Sequence, residues 1–175
     1  NVTPSINITD RMYSKKVSRS WDEAAHEEVR DTTYGFHNVY NWDLSLSAST
    51  KMYGFWVPNK KIFGDKIQAI RHVITPSVSF SYAPDFGTRS YGYWDSYQYT
   101  DENGEVKLVE YSPYEGALYG VPSKGMSKNI SWSVSNNLEM KVKSDKDSTG
   151  YKKLSLIDEL GASMSYNAAA DYHRW

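Results

Sequence analysis

The side-chain types that most often catalyse reactions or bind metals are few and scattered in this 175-residue chain. Its four histidines are His26, His37, His72 and His173. None has ligand spacing, since His26 is followed by Glu27-Glu28 without the second histidine of a zinc-binding His-Glu-x-x-His helix. A calcium-loop pattern starting at Asp145 fails because its twelfth position is Leu156, where a glutamate is required. We expect no catalytic residue, no metal and no cofactor.

Composition excludes further classes of protein. The chain has no cysteine, so it can form neither a disulfide nor a thiolate metal site. Its formal net charge is −1, whereas nucleic-acid-binding domains usually carry a basic excess. No apolar run approaches the roughly 20 residues that a membrane helix needs. We therefore expect no nucleic-acid partner and no transmembrane helix.

Carboxylates such as Asp43, Glu139 and Glu159 recur at alternate positions with serine, asparagine and lysine. Residues 128–143 show this alternation most clearly, because only Asn136 interrupts the apolar even positions from 130 to 142 and no apolar residue interrupts the odd ones. Successive side chains of a strand point to opposite faces, so this period of two predicts β-strands. The carboxylates then belong to a polar strand face rather than to acid–base pairs.

The same pattern predicts further strands near residues 4–14, 38–56, 71–82 and 151–167, with a sixth starting near 173–175. Thr3-Pro4 and Thr75-Pro76 resemble two strand starts. In the last full strand, Ile157 and Asp158 break the alternation. We expect an all-β, antiparallel domain.

Three features favour a transmembrane β-barrel segment, of about five to six strands, over a soluble β-sandwich. Two alternating runs last about 16 residues, longer than the 5–6 residues typical of soluble strands. The polar side is mostly Ser, Asn and Thr, which suits a hydrated barrel interior. Tyr and Trp lie near strand ends, as in interfacial girdles, and aromatics make up 15% of the chain. We expect residues 1–175 to be part of one barrel domain.

On this interpretation the two faces have different neighbours. We predict that the lumen-facing residues, which contact a head group or plug, are Asn41, Asp43, Ser45, Ser47, Ser131, Ser133, Ser135, Glu139 and Lys141. We predict that the lipid-facing residues are Trp42, Leu44, Leu46, Val78, Phe80, Ile130, Trp132, Val134, Leu138 and Met140.

Connections alternate between long and shorter lengths. Barrels of the outer membrane have long extracellular loops and short periplasmic turns, which makes 15–37 and 83–127 extracellular and 57–70 and 144–150 periplasmic. Ser20 and Glu23 form a capping-box pattern that predicts a short helix near 21–30. Asn103-Gly104 between two β-prone runs predicts a tight hairpin. We expect the tyrosines of 83–127 to pack this loop over the barrel mouth.

The string from Ala69 to Tyr82, followed by Pro84-Asp85-Phe86-Gly87, resembles the LptD family, most closely its Bacteroidota branch. Residues 45–54, 135–141, 156–158 and 165–171 resemble the same branch, so the similarity runs from about residue 38 to the end. The resemblance implies a Gram-negative outer-membrane barrel that inserts lipopolysaccharide into the outer leaflet and is not an enzyme.

The resemblance also implies partners. These are lipopolysaccharide, an LptE-type plug lipoprotein, outer-membrane lipid, and the periplasmic Lpt bridge, reached through an N-terminal jellyroll outside this piece. We place the chain in the middle of the barrel, away from the lateral seam between first and last strands. The alternatives are another large outer-membrane barrel, such as a porin or a TonB-dependent-type transporter, or a soluble carbohydrate-binding β-sandwich.

The barrel and the sandwich predict different behaviour in water. An open arc of barrel leaves an apolar face and strand edges that need lipid or further protein, so we expect the isolated chain not to fold alone. Expression without detergent, followed by size-exclusion chromatography, tests this. A monodisperse soluble product would contradict the barrel.

Overall fold

A computed structural model describes all residues, 1–175, and contains eight strands. They are β1 (Val2–Asp22), β2 (Glu27–Ser49), β3 (Met52–Trp56), β4 (Ile67–Ala83), β5 (Asp95–Thr100), β6 (Val106–Tyr111), β7 (Ser127–Lys143) and β8 (Tyr151–Asn167). The helices are the one-turn α1 (Lys60–Phe63) and a 3₁₀ turn at Arg89–Tyr91. No helix has the length and apolar character required to cross a membrane.

Six strands share one sheet, in the order β1-β2-β4-β7-β8, with β3 also paired to β4. The pairings β3–β4 and β7–β8 are antiparallel, and no pairing joins β1 to β8. Strands β5 and β6 form a separate antiparallel pair. The predicted all-β, antiparallel fold class is confirmed.

The chain divides into two compact units. Unit 1 contains Asn1–Ser5, Ser45–Ser81 and Lys128–Trp175, and unit 2 contains Ile6–Leu44 and Tyr82–Ser127. Unit 1 therefore holds β3, β4 to Ser81, nearly all of β7, β8 and the turns at 57–66 and 144–150. Unit 2 holds most of β1 and β2 with the connection that contains β5 and β6.

A proline explains why the strand predicted at 38–56 is two strands. Thr50 lies opposite Pro76 in β4, and the Thr50 amide donates to the Pro76 carbonyl at 3.2 Å. Proline has no N–H with which to return the second bond of that pair. The chain leaves strand geometry at Thr50 and Lys51 and resumes it at Met52. Pro76 therefore lies inside β4, and the prediction that Thr75-Pro76 starts a strand is wrong.

The exceptions at Ile157 and Asp158 mark an irregularity in the β7–β8 pairing. The register shifts between Asn136 and Leu138 and again between Leu138 and Glu139, so β8 contributes two extra residues. The Asn137 amide donates to the Ile157 carbonyl (3.3 Å) and to the Asp158 carbonyl (2.8 Å). These side-chain bonds replace ladder bonds that the two shifts interrupt.

Residues 15–37 form strands rather than the predicted loop. Strand β1 runs to Asp22, a turn occupies 23–26, and β2 begins at Glu27. The predicted helix at 21–30 is absent. The Asp22 carboxylate accepts the amides of Ala24 and Ala25, which are the bonds of a cap, but here they close a hairpin turn. Pairing between two long strands overrides the local capping preference.

Two other predicted boundaries are wrong. Strand β4 begins at Ile67, four residues before the predicted start, because the Lys143 amide donates to the Lys66 carbonyl and extends pairing toward the turn. No sixth strand starts at 173–175. Instead Trp175 packs its ring against Tyr166, with centroids 4.5 Å apart, and stacks on Trp132 at 6.0 Å.

Within unit 2, the connection 84–126 folds onto β1 and β2. Tyr13 and Val39 from these strands form a buried cluster with Phe86, Tyr93 and Tyr114 from the connection. The tyrosines therefore form part of a core, in agreement with the packing interpretation. Whether that core lies over a barrel mouth stays a prediction.

The hairpin predicted at Asn103-Gly104 is confirmed as the turn between β5 and β6. Gly104 has φ of 79°, a backbone conformation that favours glycine. Asp101 accepts the amides of Asn103 and Glu105, and its carboxylate pairs with Lys107. The Lys107 ammonium and these amides lower the pKa of Asp101 to about 2.

Two tyrosine hydroxyls of the connection bond to the edges of β1 and β2. The Tyr93 hydroxyl accepts from the Tyr40 amide and donates to the Tyr40 carbonyl, both at 2.9 Å. The Tyr111 hydroxyl does the same at Arg19, at 2.9 and 3.3 Å. Each hydroxyl satisfies the backbone pair that a neighbouring strand would otherwise bond. The connection thus covers strand edges that would be open to aberrant pairing.

We predict that Tyr93→Phe destabilises unit 2 by about 1–3 kcal/mol, because it leaves the Tyr40 amide and carbonyl unsatisfied beside a buried ring. Tyr91→Phe is the matched control, since the Tyr91 hydroxyl makes no hydrogen bond while its ring packs in the same cluster. Hydrogen exchange at the Tyr40 amide in the folded whole protein measures the effect. Equal exchange rates in the two variants would contradict the edge-covering role.

Candidate functional site

In unit 1 the odd-numbered polar residues of neighbouring strands meet on one face of the sheet. The Ser5 and Ser45 hydroxyls are 2.6 Å apart, and so are those of Ser77 and Ser133. Ser133 is also the register partner of Ser163 in β8. Hydroxyls can donate and accept, so neighbouring serines satisfy each other while leaving further bonds to water or a ligand.

In unit 2, odd-numbered polar residues of β1 and β2 also bond to each other across the strands. The Asn7 amide donates to the Asp43 carboxylate at 2.9 Å, and the Arg11 guanidinium donates to the Asn41 side-chain carbonyl at 2.6 Å. These bonds connect residues 36 and 30 positions apart in sequence. The face therefore carries charged as well as neutral polar groups, each held by a partner across the strand.

Charge accumulates on this face near the turns of unit 1. The Arg71 guanidinium donates to the Glu139 carboxylate at 2.6 Å, while its Nε is buried without a hydrogen-bond partner. Lys141 lies opposite Lys153 in the register, and its ammonium is 4.2 Å from the centre of the Tyr151 ring. Neither lysine has an ion-pair partner. Three cations thus share this part of the face with one carboxylate.

The even-numbered face of the same strands is apolar and largely exposed, with the Trp175 ring covering part of Trp132. Leu46, Val78, Trp132 and Val134 are between 37% and 44% exposed, and Leu138 is half-buried. An exposed face of this kind needs an apolar neighbour. Polar bonds interrupt it at Asn136, whose carboxamide oxygen is 3.3 Å from the His72 ring and whose amide donates to the Leu160 carbonyl at 3.2 Å.

The predicted lumen-facing residues fall on the hydrogen-bonded face, with differing partners. Five of them bond across strands as described, namely Ser45, Asp43, Asn41, Ser133 and Glu139. Other members bond weakly or line the face without a cross-strand bond: the Ser47 hydroxyl is 3.5 Å from the Thr3 carbonyl, and Ser131, Ser135 and Lys141 lie opposite Ser165, Gly161 and Lys153. Which medium this face meets stays a prediction.

The predicted lipid-facing residues lie on the even-numbered face, but not all are equally open. Leu44 is exposed like its neighbours, whereas Phe80, Ile130 and Met140 are half-buried. Trp42 packs against the unit 2 cluster and lies 5.9 Å from the Tyr82 ring. Only part of the Trp42 ring is therefore exposed.

Sequence reasoning missed several partners on the polar face. Ser5, Asn7 and Arg11 alternate in β1, and this period lies within the strand predicted at 4–14. Arg71 and Ser77 follow the same parity in β4. The cross-strand register that joins them to Glu139 and Ser133 carries no signal in a single sequence.

An antiparallel sheet with one hydrogen-bonded polar face and one exposed apolar face is consistent with a segment of an outer-membrane β-barrel. The family model described as LptD protein matches residues 1–175. The chain belongs to the LptD family. No curated protein and no solved structure matches it.

Membership connects the chain with lipopolysaccharide transport at the outer membrane and with Lpt-system partners. The family transports and assembles lipopolysaccharide and does not catalyse a reaction. The Bacteroidota subtype stays a prediction, as do the single barrel domain and the plug contact.

A charged side chain should destabilise the folded protein more on the apolar face than on the polar face. Substitutions at two neighbouring residues of β7 test this difference. Val134→Arg places a cation on the apolar face at the middle of β7, which costs about 2–4 kcal/mol if that face meets acyl chains. Ser135→Arg is the matched control, because Ser135 lies opposite Gly161, which has no side chain.

We expect Val134→Arg to reduce folding of the whole protein into lipid vesicles, and Ser135→Arg to fold nearly as well as the unchanged protein. Heat-modifiable mobility on electrophoresis measures the folded fraction. Equal losses in both variants, or a larger loss for Ser135→Arg, would contradict the assignment of faces.

Proposed function

We propose that this chain forms part of the wall of an LptD barrel, which translocates lipopolysaccharide and inserts it into the outer leaflet. The polar face lines the hydrated interior and solvates the sugar and phosphate groups. The apolar face contacts acyl chains of the membrane. No residue performs covalent chemistry; the wall supplies two media for the two ends of an amphipathic lipid.

The separation of the two faces supports this proposal most directly. Serine and asparagine hydroxyls and amides bond across the strands on one side, while leucine, valine and tryptophan are exposed on the other. A soluble protein would have to cover that apolar side with more polypeptide. Lipid covers it without further chain.

The polar face also offers contacts for an LptE-type plug lipoprotein inside the barrel. Cross-strand partners such as Asn7–Asp43 and Arg11–Asn41 present side-chain donors and acceptors in fixed positions. Such positions suit a protein surface as well as a passing head group. The periplasmic Lpt bridge would deliver lipid from the side of the short turns.

Strand lengths support the sidedness of the connections. A transmembrane strand needs about 9–11 residues, whereas β1 has 21 and β2 has 23. These two strands therefore extend past the membrane on one side, with the turn at 23–26 and the connection 84–126. We propose that this side is extracellular and that the turns at 57–66 and 144–150 are periplasmic.

Cysteine labelling tests the sidedness, because the chain has no cysteine of its own. Asn103→Cys lies at the tip of the β5–β6 hairpin, and Asp147→Cys lies in the turn between β7 and β8; both positions are exposed. In intact cells, a membrane-impermeant maleimide should label Asn103→Cys and leave Asp147→Cys unlabelled until the outer membrane is permeabilised. The reverse pattern would invert the proposed topology.

Depletion of the whole protein in its host tests the transport function. We expect surface lipopolysaccharide to fall as the protein is lost, while lipopolysaccharide accumulates in the inner layers of the envelope. A control strain depleted of an unrelated outer-membrane barrel should keep its surface level. Unchanged surface lipopolysaccharide after depletion would defeat the proposal.

A further inference from the structure

A groove of 180 Å³ lies on the polar face of unit 1, close to the turns at 57–66 and 144–150. Its walls come from β3, β4, β7 and β8. Its lining residues are Phe55, Ala69, Arg71, Glu139, Met140, Lys141 and Lys153, of which Met140 has the parity of the apolar face. Phe55 and Arg71 are direct register partners, as are Lys141 and Lys153, so backbone pairing fixes the groove's shape.

The charges in this groove do not balance within the chain. Glu139 is committed to Arg71, with a 2.6 Å contact. Lys141 and Lys153 lie directly opposite each other as like charges, an arrangement that destabilises a strand pair, and Lys141 has only the Tyr151 ring as a partner. The Arg71 Nε is buried and has no acceptor. The groove therefore lacks an anion with several acceptor oxygens.

The net charge of unit 1 also favours an anion in this groove. Unit 1 contains 12 lysines and arginines and seven aspartates and glutamates. Unit 2 contains eight lysines and arginines and 14 aspartates and glutamates. Excess positive charge around a concave site concentrates anions there. Lys143, which has the same parity as Lys141 on β7, adds to the local field.

We propose that this groove binds a phosphate group of the lipopolysaccharide head on the polar face of the barrel wall. A phosphate monoester carries a charge of about −1.5 to −2 and three acceptor oxygens, which match the two lysine ammonium groups. Phe55, largely exposed at the groove's edge, gives an apolar surface for the sugar that bears the phosphate. The assignment rests on the proposed function. On it, this groove is the first place where lipopolysaccharide contacts the barrel wall on the side of the short turns.

Lys153→Gln tests the assignment, with Lys152→Gln as the matched control. The two substitutions remove the same charge from adjacent residues of β8, but Lys152 does not line the groove. The experiment uses the whole protein with its plug, carrying p-benzoylphenylalanine at position 55. Ultraviolet cross-linking at subsaturating lipopolysaccharide then reports lipid at the groove itself.

We expect Lys153→Gln to lower the yield of lipopolysaccharide adduct about tenfold, the effect of losing one charge-assisted contact, and Lys152→Gln to change it less than twofold. Phosphatase-treated lipopolysaccharide should give low yields in every protein. Millimolar inorganic phosphate should compete only weakly, because it lacks the sugar that contacts the aromatic surface.

Four patterns of adduct yield would overturn the assignment, as would the absence of any lipid adduct. The four are equal yields in Lys153→Gln and Lys152→Gln, equal yields with and without lipid phosphate, complete displacement by inorganic phosphate, and adducts to the plug lipoprotein in place of lipid. If no lipid adduct forms while depletion still removes surface lipopolysaccharide, the groove assignment fails and the transport function stands. If depletion leaves surface lipopolysaccharide unchanged, the transport function fails first.

Discussion

Side-chain parity across the sheet is the constraint on which the other features of this protein depend. Cross-strand bonds at Ser5–Ser45 and Ser77–Ser133 join odd-numbered residues to odd-numbered residues. A slip of one residue in any pairing would move a whole strand's serines to the apolar side. The paired register shifts near Leu138 respect this rule, because two extra residues in β8 restore the parity that one would reverse. The polar and apolar faces therefore continue unmixed through an irregular region.

The strand edges of this sheet also have backbone N–H and C=O groups that need hydrogen-bond partners. In unit 2, tyrosine hydroxyls bond to backbone groups of β1 and β2 that no neighbouring strand satisfies, and the Pro113 carbonyl accepts the Val17 amide beside them. The Tyr93 ring is almost fully buried, and this burial raises the pKa of its phenol. The hydroxyl consequently remains protonated and can donate and accept at once. The long connection thus acts as structure for the strands as well as a link between them.

Electrostatics distinguishes the two units in a way that the net charge of −1 conceals. Unit 1 has a basic excess and unit 2 an acidic one. In unit 2 many charges are already paired, as with Arg19 and Glu115 at 2.6 Å and Asp101 and Lys107 at the hairpin turn. In unit 1 the opposed lysines of β7 and β8 have no such partner. Unpaired charge of one sign on a polar face is a feature of binding surfaces, whereas paired charge mainly orients the chain.

The sequence by itself determined the strand faces and the class of fold. Alternation with a period of two is a local property, so residues 128–143 predicted β7 and its two sides, and Asn103-Gly104 predicted a hairpin from the backbone freedom of glycine. Only the tertiary structure decided the rest. Ser20 and Glu23 satisfy the local rules for a helix start, yet long-range pairing of β1 with β2 makes this stretch a hairpin turn. The register that brings Arg71 to Glu139 joins residues 68 positions apart, and no local preference specifies such a distance.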